Sequence, residues 1–593
     1  MYQGLSIGHL QTSLFAMGLF YYPILGMALS IFMASIVSFP MALFERGKLK
    51  IGLGIIYFSG ASASLISPWL ILHIISGGNQ FLHSSKGYFA ITNVVVIITG
   101  ISILAISYLL ITLWKAIPIN VSKIVGIIFL SCIVLGSGIY LSVPPEKQKE
   151  VESFHYTKDA NVAVNPDIFL IVIDCLRYDC ISGMGQGVST PHLKRLIDDG
   201  IFCKKAFAQC SWTKPSIASI LTSLYVSQHN VLTNLSTINP QLVTLAEVLK
   251  EREYYNCGFH NNVHLRNIYN FDQGFHHYEY FGKEYPIPFD FNVPRLHFFR
   301  VIDILVKSVI GGETYVGLFY KNALSSTERI IKHVDSNADR DMFVFVHYMD
   351  PHAPYFRHPF DGTKHDPPPT ELTDTIKNDI FNTYKQEIQF TDSAVGMLLQ
   401  ELDKLDMYDE SLIILTADHG EEFLEHGGWE HARTLYNELI HVPLIIKLPE
   451  NRQANNVDSS LVQLIDIAPT ITSLVGAHAP GEWEGIDLMS DEIRSWVYAE
   501  KINGKTILTH DDKLYVTDGS DVSLPTLAYF DLKEDYDESA NLADDPAYEE
   551  RIRELDDSLR SIELRLASTK VESFETELDF ETREQLKALG YLD

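Results

Sequence analysis

Four long apolar stretches occupy the first quarter of the 593-residue chain. Each is about 20 residues or longer and nearly free of charge, which is the length and polarity that a bilayer core requires. We predict that residues 1–145 form a transmembrane region with four helical spans and that residues 146–165 form a linker. Buried helices of a water-soluble protein are the alternative, but four such stretches in succession favour spans. The stretches are Leu14–Val37, Ile51–Ile75, Ala90–Trp114 and Val121–Val143.

The positive residues between these stretches predict their orientation. They concentrate in the first loop, Glu45–Lys50, and around Lys115 and Lys123 in the third. Because cytoplasmic loops carry an excess of Lys and Arg, both loops are expected in the cytoplasm. We therefore expect a multi-pass protein of the cell membrane in which everything after Val143 lies outside the cytoplasm.

The hydrophobic pattern changes after residue 165. A continuous β-branched run begins at Asp167 and ends at Asp174, which is typical of a strand buried on both faces. Similar runs recur and alternate with helix-like stretches, which predicts an α/β fold with a doubly wound, mainly parallel sheet over residues 166–520. The later runs are Met342–His347, Ser411–Thr416 and Val442–Lys447, and the helical stretches are Thr190–Asp199, Leu242–Glu253 and Asn378–Leu405. Residues 521–593 are predicted to form a C-terminal subdomain and tail, with a helix over Ala547–Ala567.

Charge separates the two parts of the chain further. Residues 1–150 carry eight Lys or Arg and three Asp or Glu, a net charge of +5, whereas the whole chain carries −29. A strongly acidic remainder excludes nucleic-acid binding through phosphate contacts, which needs a Lys/Arg surface. The six cysteines show neither a disulfide framework nor a C-x-x-C metal motif, and most are expected to be buried thiols.

Carboxylates and a histidine follow two of the predicted strands. Asp174 ends the first strand, and Asp418 and His419 follow the run that ends at Thr416. Ligands of doubly wound sheets bind outside the carboxyl ends of the strands, so these side chains are expected to converge. Their oxygen and nitrogen donors suit one divalent metal ion, with Ca, Mn, Mg and Zn left open. Taken singly, an Asp at a strand end is more often a cap or turn residue.

Thr213 precedes a predicted helix in which Pro215 suits the first turn. The exposed amides and the positive dipole end of such a helix favour an anion. A hydroxyl there becomes a usable nucleophile if a metal ion lowers its pKa. The plain alternative is that Thr213 only caps the helix.

Several histidines and an arginine lie near the same strand ends. The strand at 342–347 runs into a turn that Pro351 and Pro354 stiffen, and this turn presents His352. The segment after Asp418 adds His431 and Arg433 as cationic candidates. Their concentration predicts a site for a metal ion and an anionic tetrahedral group.

At this point the chain resembles the sulfatase branch of the alkaline-phosphatase superfamily. The resemblance runs from about residue 166 to the end and rests on six ordered blocks, which are Ile171–Asp179, Trp212–Tyr225, Phe271–Phe275, His347–Tyr355, Thr416–Gly428 and His441–Ile446.

The resemblance implies a role for each matching position. It places Asp174, Asp418 and His419 on the family's metal ligands. Thr213 falls on the nucleophile, which also contacts the metal. It places His352 and His431 near the positions that bind the leaving group or the anion. It also makes the residues His264, Arg177 and Arg433 candidates for substrate binding.

One departure from the family pattern changes the expected chemistry. Formylglycine sulfatases need Cys or Ser followed by x-Pro-x-Arg, and here that register reads Thr213 to Ile217. Threonine cannot become formylglycine, and Ile217 replaces the arginine. A threonine at this position is similar to the superfamily's phosphotransferases and phosphodiesterases, some of which are tethered to membranes.

Three functional hypotheses remain. The leading one is a membrane-anchored, metal-dependent hydrolase or transferase that acts through Thr213 on phosphate or sulfate esters, with a lipid headgroup or a surface glycan as a possible substrate. The second is a true sulfatase, and the third is a catalytically inactive surface binding protein on the same fold.

Overall fold

The computed structural model describes residues 165–282, 321–358, 364–365, 373–572, 574–578, 582–583 and 586–587. The four predicted spans and residues 146–164 of the predicted linker lie outside the described residues. Within the described ranges, no helix combines the length and the apolar character needed to cross a bilayer.

In the part of the chain that the structure describes, the main sheet has eight strands, which are β1 (Ile168–Ile173), β2 (Ile201–Phe207), β4 (Tyr255–His260), β5 (His277–Tyr280), β6 (Met342–Tyr348), β9 (Leu412–Thr416), β12 (His441–Lys447) and β13 (Asn456–Gln463). Their order across the sheet is β13-β2-β12-β9-β1-β6-β4-β5. The remaining strands are β3 (Ser236–Thr237), β7 (Tyr355–Phe356), β8 (Lys364–His365), β10 (Glu422–Phe423), β11 (Trp429–Glu430), β14 (Val497–Lys501), β15 (Gly504–Leu508), β16 (Asp512–Thr517), β17 (Leu527–Asp531) and β18 (Phe574–Glu575).

The predicted mainly parallel α/β sheet is confirmed. Strand β1 lies in the centre, parallel to β6 on one side and to β9 on the other. All six of its residues are buried, because both faces of the sheet are covered and the strand is continuously apolar. Strand β12 is the exception, since it pairs antiparallel with both β9 and β2.

Helices form at the predicted stretches, and the described residues contain further helices that were not predicted. The α-helices are α1 (Pro191–Asp199), α2 (Thr213–Thr222), α3 (Val226–His229), α4 (Leu245–Glu251), α5 (Ala323–Asp335), α6 (Asp374–Lys404), α7 (Asn437–Ile440), α8 (Ile467–Leu474) and α9 (Glu549–Ala567). Short 3-10 turns cover Tyr178–Cys180, Val263–Leu265, Asn267–Tyr269, Pro449–Asn451, Leu464–Asp466 and Pro546–Tyr548. Helix α4 begins later than predicted because Thr244 caps it, accepting the amide of Glu247 while the Glu247 carboxylate accepts the amide of Thr244.

A second sheet of four antiparallel strands, β14 to β17, follows the main sheet in the chain. Helix α9 packs against it through Leu555, Leu559 and Ile562, which belong to one buried cluster with Leu514 and Tyr529. Strands β14 to β16 precede residue 521 and strand β17 follows it. The predicted boundary between residues 520 and 521 therefore falls inside this sheet.

A buried ion pair stabilises the start of helix α8. The carboxylate of Asp466 is fully buried and accepts the amides of Gln463 and Ile486 at 2.8 and 2.9 Å. The Arg494 guanidinium approaches the same carboxylate, with Nε 3.0 Å from Oδ2. Because removal of one partner leaves an uncompensated buried charge, we expect Arg494→Met to lower the free energy of unfolding by about 3–5 kcal/mol.

Urea unfolding of the purified chain measures this loss. Arg553→Met is the matched control, since its partner Glu549 lies at 2.9 Å but both side chains are exposed. Exposed pairs contribute about 0–1 kcal/mol, so the control should barely change the unfolding midpoint. If Arg494→Met and Arg553→Met had the same urea midpoint, the buried pair of Asp466 and Arg494 would contribute no more to stability than an exposed pair.

Candidate active site

Four neighbouring strands deliver polar side chains to one edge of the main sheet. Asp174 follows β1, Asp418 follows β9, His347 lies near the end of β6, and Asn262 follows β4. The register aligns these ends, because Val172 of β1 lies opposite both His347 and Thr416. The strands β9, β1, β6 and β4 are adjacent, so the four side chains meet at the carboxyl edge as parallel topology requires.

Two aspartates and two histidines form the centre of this cluster. His347 Nε2 lies 3.7 Å from Asp174 Oδ2 and 3.5 Å from Asp418 Oδ2. His419 Nε2 lies 3.5 Å from Asp174 Oδ1 and 3.7 Å from Asp418 Oδ2. All four side chains are buried. We call Asp174, His347, Asp418 and His419, together with Asn262, the carboxylate cluster.

Thr213 is the first residue of α2, and its hydroxyl faces the carboxylate cluster. Thr213 Oγ1 donates to Asp174 Oδ2 at 3.4 Å and lies 3.3 Å from His419 Nε2. The Asn262 amide donates to Asp174 Oδ2 at 2.9 Å and to Thr213 Oγ1 at 3.4 Å. Trp212, not Thr213, holds the N-cap position of α2. The hydroxyl therefore points to the cluster and does not cap the helix, at the helix end that favours negative charge.

The carboxylate cluster fits a divalent cation. Burial raises the pKa of Asp418, but the neighbouring His419 and His347 outweigh burial and hold this pKa at about 2, so the carboxylate is ionised at neutral pH. The His419 Nδ1–H donates to the Gly420 carbonyl at 2.9 Å, so Nε2 is the ring nitrogen that faces the carboxylates. Asp174, His347 and Asp418 each offer a ligand atom within 4.8 Å of the others. Carboxylates with imidazole and amide donors suit a hard or borderline metal.

A second group of side chains adjoins this cluster on the side of Cys175. Its members are Cys175, His352, Glu421 and His431, and we call it the Cys175 cluster. Cys175 Sγ lies 3.3 Å from Asp174 Oδ1 and 3.7 Å from His431 Nδ1. His431 Nδ1 lies 2.9 Å from Glu421 Oε1, and the rings of His352 and His431 meet edge to face with centroids 4.8 Å apart.

Ionisation differs between members of the Cys175 cluster. Burial, with the neighbouring His419 and His352, lowers the pKa of His431 well below its ordinary value. Burial also lowers the pKa of His352, but Asp174 and Glu421 outweigh it and raise this pKa overall. Burial raises the pKa of Glu421 to about 7, against the opposing charges of His352 and His419. Positive charge in the Cys175 cluster is therefore favoured at His352.

The predicted site residues fall into three places. The structure brings Asp174, Asp418 and His419 together in the carboxylate cluster, which the Thr213 hydroxyl faces, and it places His352 and His431 in the Cys175 cluster. The three predicted substrate-binding residues, which are His264, Arg177 and Arg433, lie outside both clusters.

Each of these three has partners of its own. His264 is fully buried and packs edge-on against Trp212, with ring centroids 5.6 Å apart. Arg177 pairs with Asp179 at 2.9 Å and with Glu425 at 2.6 Å. The Arg433 guanidinium lies 3.5 Å from Asp521. Arg177 therefore fixes the loop after β1, and substrate binding by the three residues stays a prediction.

Four residues of the two clusters were not predicted as site residues. They are Cys175, Asn262, His347 and Glu421. His347 and Glu421 stand inside the motif blocks quoted above, so their positions could have marked them as candidate site residues. Cys175 directly follows the predicted ligand Asp174, but a buried thiol is the ordinary expectation for a cysteine in an apolar segment.

A third group of titratable side chains lies near the hairpin of β10 and β11. Hydrogen bonds join its members, which are Glu422, His426 and Glu438. His426 Nδ1 lies 2.7 Å from Glu438 Oε1, and Glu422 Oε1 accepts the His426 amide at 3.1 Å. Burial lowers the pKa of His426, but Glu438 outweighs it and raises this pKa from 6.5 to about 9. The protonated imidazole is thus favoured by folding.

This raised pKa predicts a pH-dependent contribution to stability. A group whose folded pKa is raised stabilises the fold fully below its unfolded pKa and loses that effect as the pH rises through the folded pKa. The stability advantage of wild type over His426→Gln should therefore shrink by about 2 kcal/mol between about pH 6 and about pH 9.5. Urea unfolding of both proteins across this range measures it. An advantage that stays constant or grows with pH would contradict the assignment.

Comparison with known proteins identifies the family. The sulfatase family profile matches residues 166–477, which is more than half of the chain. The chain therefore belongs to the sulfatase family, and the predicted family is confirmed. It is an ester hydrolase or transferase of the sulfatase superfamily.

Three curated relatives illustrate the range of the family. The multifunctional alkaline phosphatase superfamily protein PehA of Trinickia caryophylli is 24% identical over 65% of this chain and 93% of its own length. Arylsulfatase K of Gallus gallus is 32% identical over 29% of this chain and 35% of its own. The low-salt glycan biosynthesis sulfotransferase Agl7 of Haloferax volcanii is 24% identical over 55% of this chain and 64% of its own.

A solved structure shares the fold. The phosphonate monoester hydrolase of Agrobacterium radiobacter superposes with a TM-score of 0.55 and covers 68% of this chain and 96% of its own. Its sequence is 19% identical, so this likeness supports the fold alone.

Proposed function

We propose that this chain is a metal-dependent enzyme that cleaves or transfers phosphate or sulfate ester groups through a Thr213 nucleophile. One observation carries the proposal. The Thr213 hydroxyl lies at the N-terminus of α2, 3.4 Å from Asp174 and 3.3 Å from His419, where two buried carboxylates converge.

The residues of the carboxylate cluster have distinct roles in this proposal. Asp174, Asp418 and His419 would hold the cation, and His347 and Asn262 offer further donors. A bound divalent cation lowers the pKa of a nearby hydroxyl and withdraws charge from the ester oxygens. The Asn262 amide orients the Thr213 hydroxyl, and the first amides of α2 face the charge that develops on the group being transferred.

The reaction then has two balanced steps. In the first step Thr213 gives its hydroxyl proton to solvent, and its Oγ forms a bond to phosphorus or sulfur as the bond to the leaving oxygen breaks. A proton from the His352 and His431 side goes to the leaving oxygen. In the second step water or an acceptor hydroxyl attacks the group and returns a proton to the histidine side, while the bond to Thr213 Oγ breaks and Thr213 takes a proton from solvent. Water gives hydrolysis, and an acceptor hydroxyl gives transfer.

The transferred group can be phosphate or sulfate. Threonine at residue 213 and isoleucine at residue 217 are incompatible with formylglycine chemistry, which favours a phosphoryl group. The likeness to Agl7, whose name describes a sulfotransferase, favours a sulfuryl group and transfer. Both groups are tetrahedral anions that the same cluster can bind.

Membrane anchoring is part of the proposal and rests on the apolar stretches at residues 14–143. We propose four spans with residues 144–593 outside the cytoplasm. Fusing a reporter that works only in the cytoplasm to Asp593 should give an inactive reporter, and one that works only outside should be active. The opposite pair of results would refute the topology.

A panel of substrates tests the chemistry. Purified full-length protein with added divalent metal is assayed with an aryl sulfate, an aryl phosphate monoester and an aryl phosphodiester. We expect turnover of at least one ester that depends on both metal and Thr213. Preference for the phosphodiester would indicate headgroup transfer or diester cleavage, and preference for the sulfate would indicate a sulfatase that needs no formylglycine. Equal turnover with and without metal would refute the proposal.

A further inference from the structure

The three titratable side chains near the hairpin of β10 and β11 form a group apart from the two clusters of the candidate active site. Glu422 begins β10, His426 lies in the turn that follows, and Glu438 belongs to α7. We call these three residues the hairpin cluster. Each offers a ligand atom, and the three atoms all lie within 4.8 Å of one another. The neighbouring Glu421 belongs to the Cys175 cluster, where it contacts His431 instead.

Glu422 has one carboxylate oxygen that its surroundings leave unused. The side chain is buried, with only 1% of its surface exposed, and Oε1 accepts the amides of His426 and Gly428 at 3.1 and 2.6 Å. Oε2 is buried as well, and no hydrogen-bond donor among the described residues reaches it. A buried polar atom without a partner is costly. A cation in the hairpin cluster would supply the missing contact.

The charge of the hairpin cluster also favours a cation. The carboxylates of Glu422 and Glu438 share one imidazole, so negative charge remains in excess even when His426 is protonated. Burial, with the charge of Glu438, raises the pKa of Glu422. The buried amine of Lys513 is paired with Glu538 at 2.6 Å. A divalent cation bound beside a neutral imidazole would balance the two carboxylates.

His426 is oriented for a metal bond through Nδ1. Its Nε2–H donates to the Glu538 carbonyl at 3.1 Å, and Nδ1 lies 2.7 Å from Glu438 Oε1. Metal-bound histidines commonly donate their other N–H to a carbonyl in this way. The ring also stacks on Tyr436, with centroids 3.7 Å apart. Zinc bonds of about 2.0–2.1 Å in a tetrahedral site put nitrogen and oxygen ligands roughly 3.3 Å apart, so His426 Nδ1 and Glu438 Oε1 need to separate by only about 0.6 Å.

We propose that the hairpin cluster binds one divalent cation of zinc type through Glu422, His426 Nδ1 and Glu438, with water as the fourth ligand. Binding releases the Nδ1 proton of His426 to solvent, and the cation forms bonds to that nitrogen and to one oxygen of each carboxylate. Imidazole and carboxylate both ligate zinc, and three protein ligands with water complete its usual coordination. The side chains of His426 and Glu438 are 12% and 7% exposed, which gives the ion a path from solvent.

The bound cation joins the hairpin to α7, and this inference does not depend on the proposed function because zinc binding is measured without a substrate. Purified full-length protein, stripped of metal, is dialysed against Zn²⁺, and the bound zinc is counted by atomic absorption. We expect wild type to bind one more zinc ion per chain than Glu422→Gln. Glutamine keeps an oxygen that can accept the amides of His426 and Gly428, so the hairpin should persist.

Asp418→Asn separates this site from the carboxylate cluster. It should keep the zinc ion of the hairpin cluster, whatever happens to an ion beside Thr213. If the carboxylate cluster bound no metal, the proposed function would fail. Asp418→Asn would then leave the zinc count unchanged, and Glu422→Gln would still remove one ion.

Hydrogen exchange shows where the ion binds. Zinc should slow amide exchange in the turn at residues 424–428 of wild type and of Asp418→Asn, because the ion ties this turn to α7. The same amides should show no response to zinc in Glu422→Gln. An ion bound to surface histidines elsewhere would not produce this difference.

Glu387→Gln is the matched control, because Glu387 is an equally buried carboxylate that contacts a histidine. Its Oε2 lies 2.6 Å from His358 Nε2, and its Oε1 accepts the Phe356 amide at 2.6 Å. It should keep both the ion and the protection of the turn. Circular dichroism checks that each variant folds, and Glu438→Gln replaces Glu422→Gln if the latter does not.

Two results would overturn the proposal. One is an equal zinc count in wild type and in the folded variant of the hairpin cluster. The other is protection of the turn by zinc that persists in that variant.

Discussion

Thr213→Ala should lower kcat/KM for the best ester substrate by about 10⁴-fold or more, since a nucleophile that acts with its activating groups as a unit cannot be replaced by its neighbours. The fold should persist, because alanine is the best helix former and Trp212 holds the N-cap position. Thr213→Ser keeps a hydroxyl in the same place and should retain much of the activity. Steady-state kinetics of both variants at saturating metal measures the effect.

Thr222→Ala is the matched control for this variant. Thr222 ends α2, is equally buried and donates its hydroxyl to the Ala218 carbonyl at 2.7 Å. It should lose some stability and little activity. If Thr213→Ala turned over the substrate at the wild-type rate, Thr213 would be a structural residue and the proposed chemistry would be wrong.

Asp418→Asn should reduce metal affinity by at least about 100-fold, and activity should fall with it at limiting metal. Asparagine keeps the oxygen that accepts the His419 amide at 2.9 Å, so the loop after β9 should stay in place. It removes the negative charge that lies 3.5 Å from His347. Metal titration followed by calorimetry, with activity measured on the same samples, gives both quantities.

Excess metal should partly restore the activity of Asp418→Asn, because the defect is in binding. Asp458→Asn is the control, since that carboxylate belongs to β13 and accepts the Ser460 amide. If Asp418→Asn bound the metal as tightly as wild type, Asp418 would not be a metal ligand. The proposed metal-binding role of the carboxylate cluster would then lose its support.

The sequence predicted the strands that contain a continuous apolar run and missed those whose apolar pattern is interrupted. Strand β1 was predictable because all six of its residues are apolar, and the structure buries all six. Strand β4 was not, because Asn256 and Gly258 interrupt its pattern, and both residues are buried by contacts that only the tertiary fold supplies. Asn262 follows that strand, so its place at the carboxyl edge could not be foreseen.

The same difference between continuous and interrupted apolar strands decides which residues of the candidate site could be predicted. Asp174 and Asp418 were predictable because each follows a readable strand in a sheet whose ligands bind at the carboxyl edge. His347 stands inside a quoted motif block, but its contact with Asp174 could not be predicted, since the pairing of β6 with β1 brings the two side chains together. Substrate binding by Arg177 stays a prediction, and its motif position could not reveal that Asp179 and Glu425 pair with its guanidinium.

The most direct test of the central claim is the mass of the peptide that contains Thr213, after wild-type enzyme is quenched in acid during turnover of its best ester. We predict that this peptide gains the mass of one phosphoryl or sulfuryl group, that fragmentation places the group on Thr213, and that water or acceptor releases it in a chase. Rapid turnover with the group on a different residue would contradict the account, as would full turnover by Thr213→Ala under the same conditions.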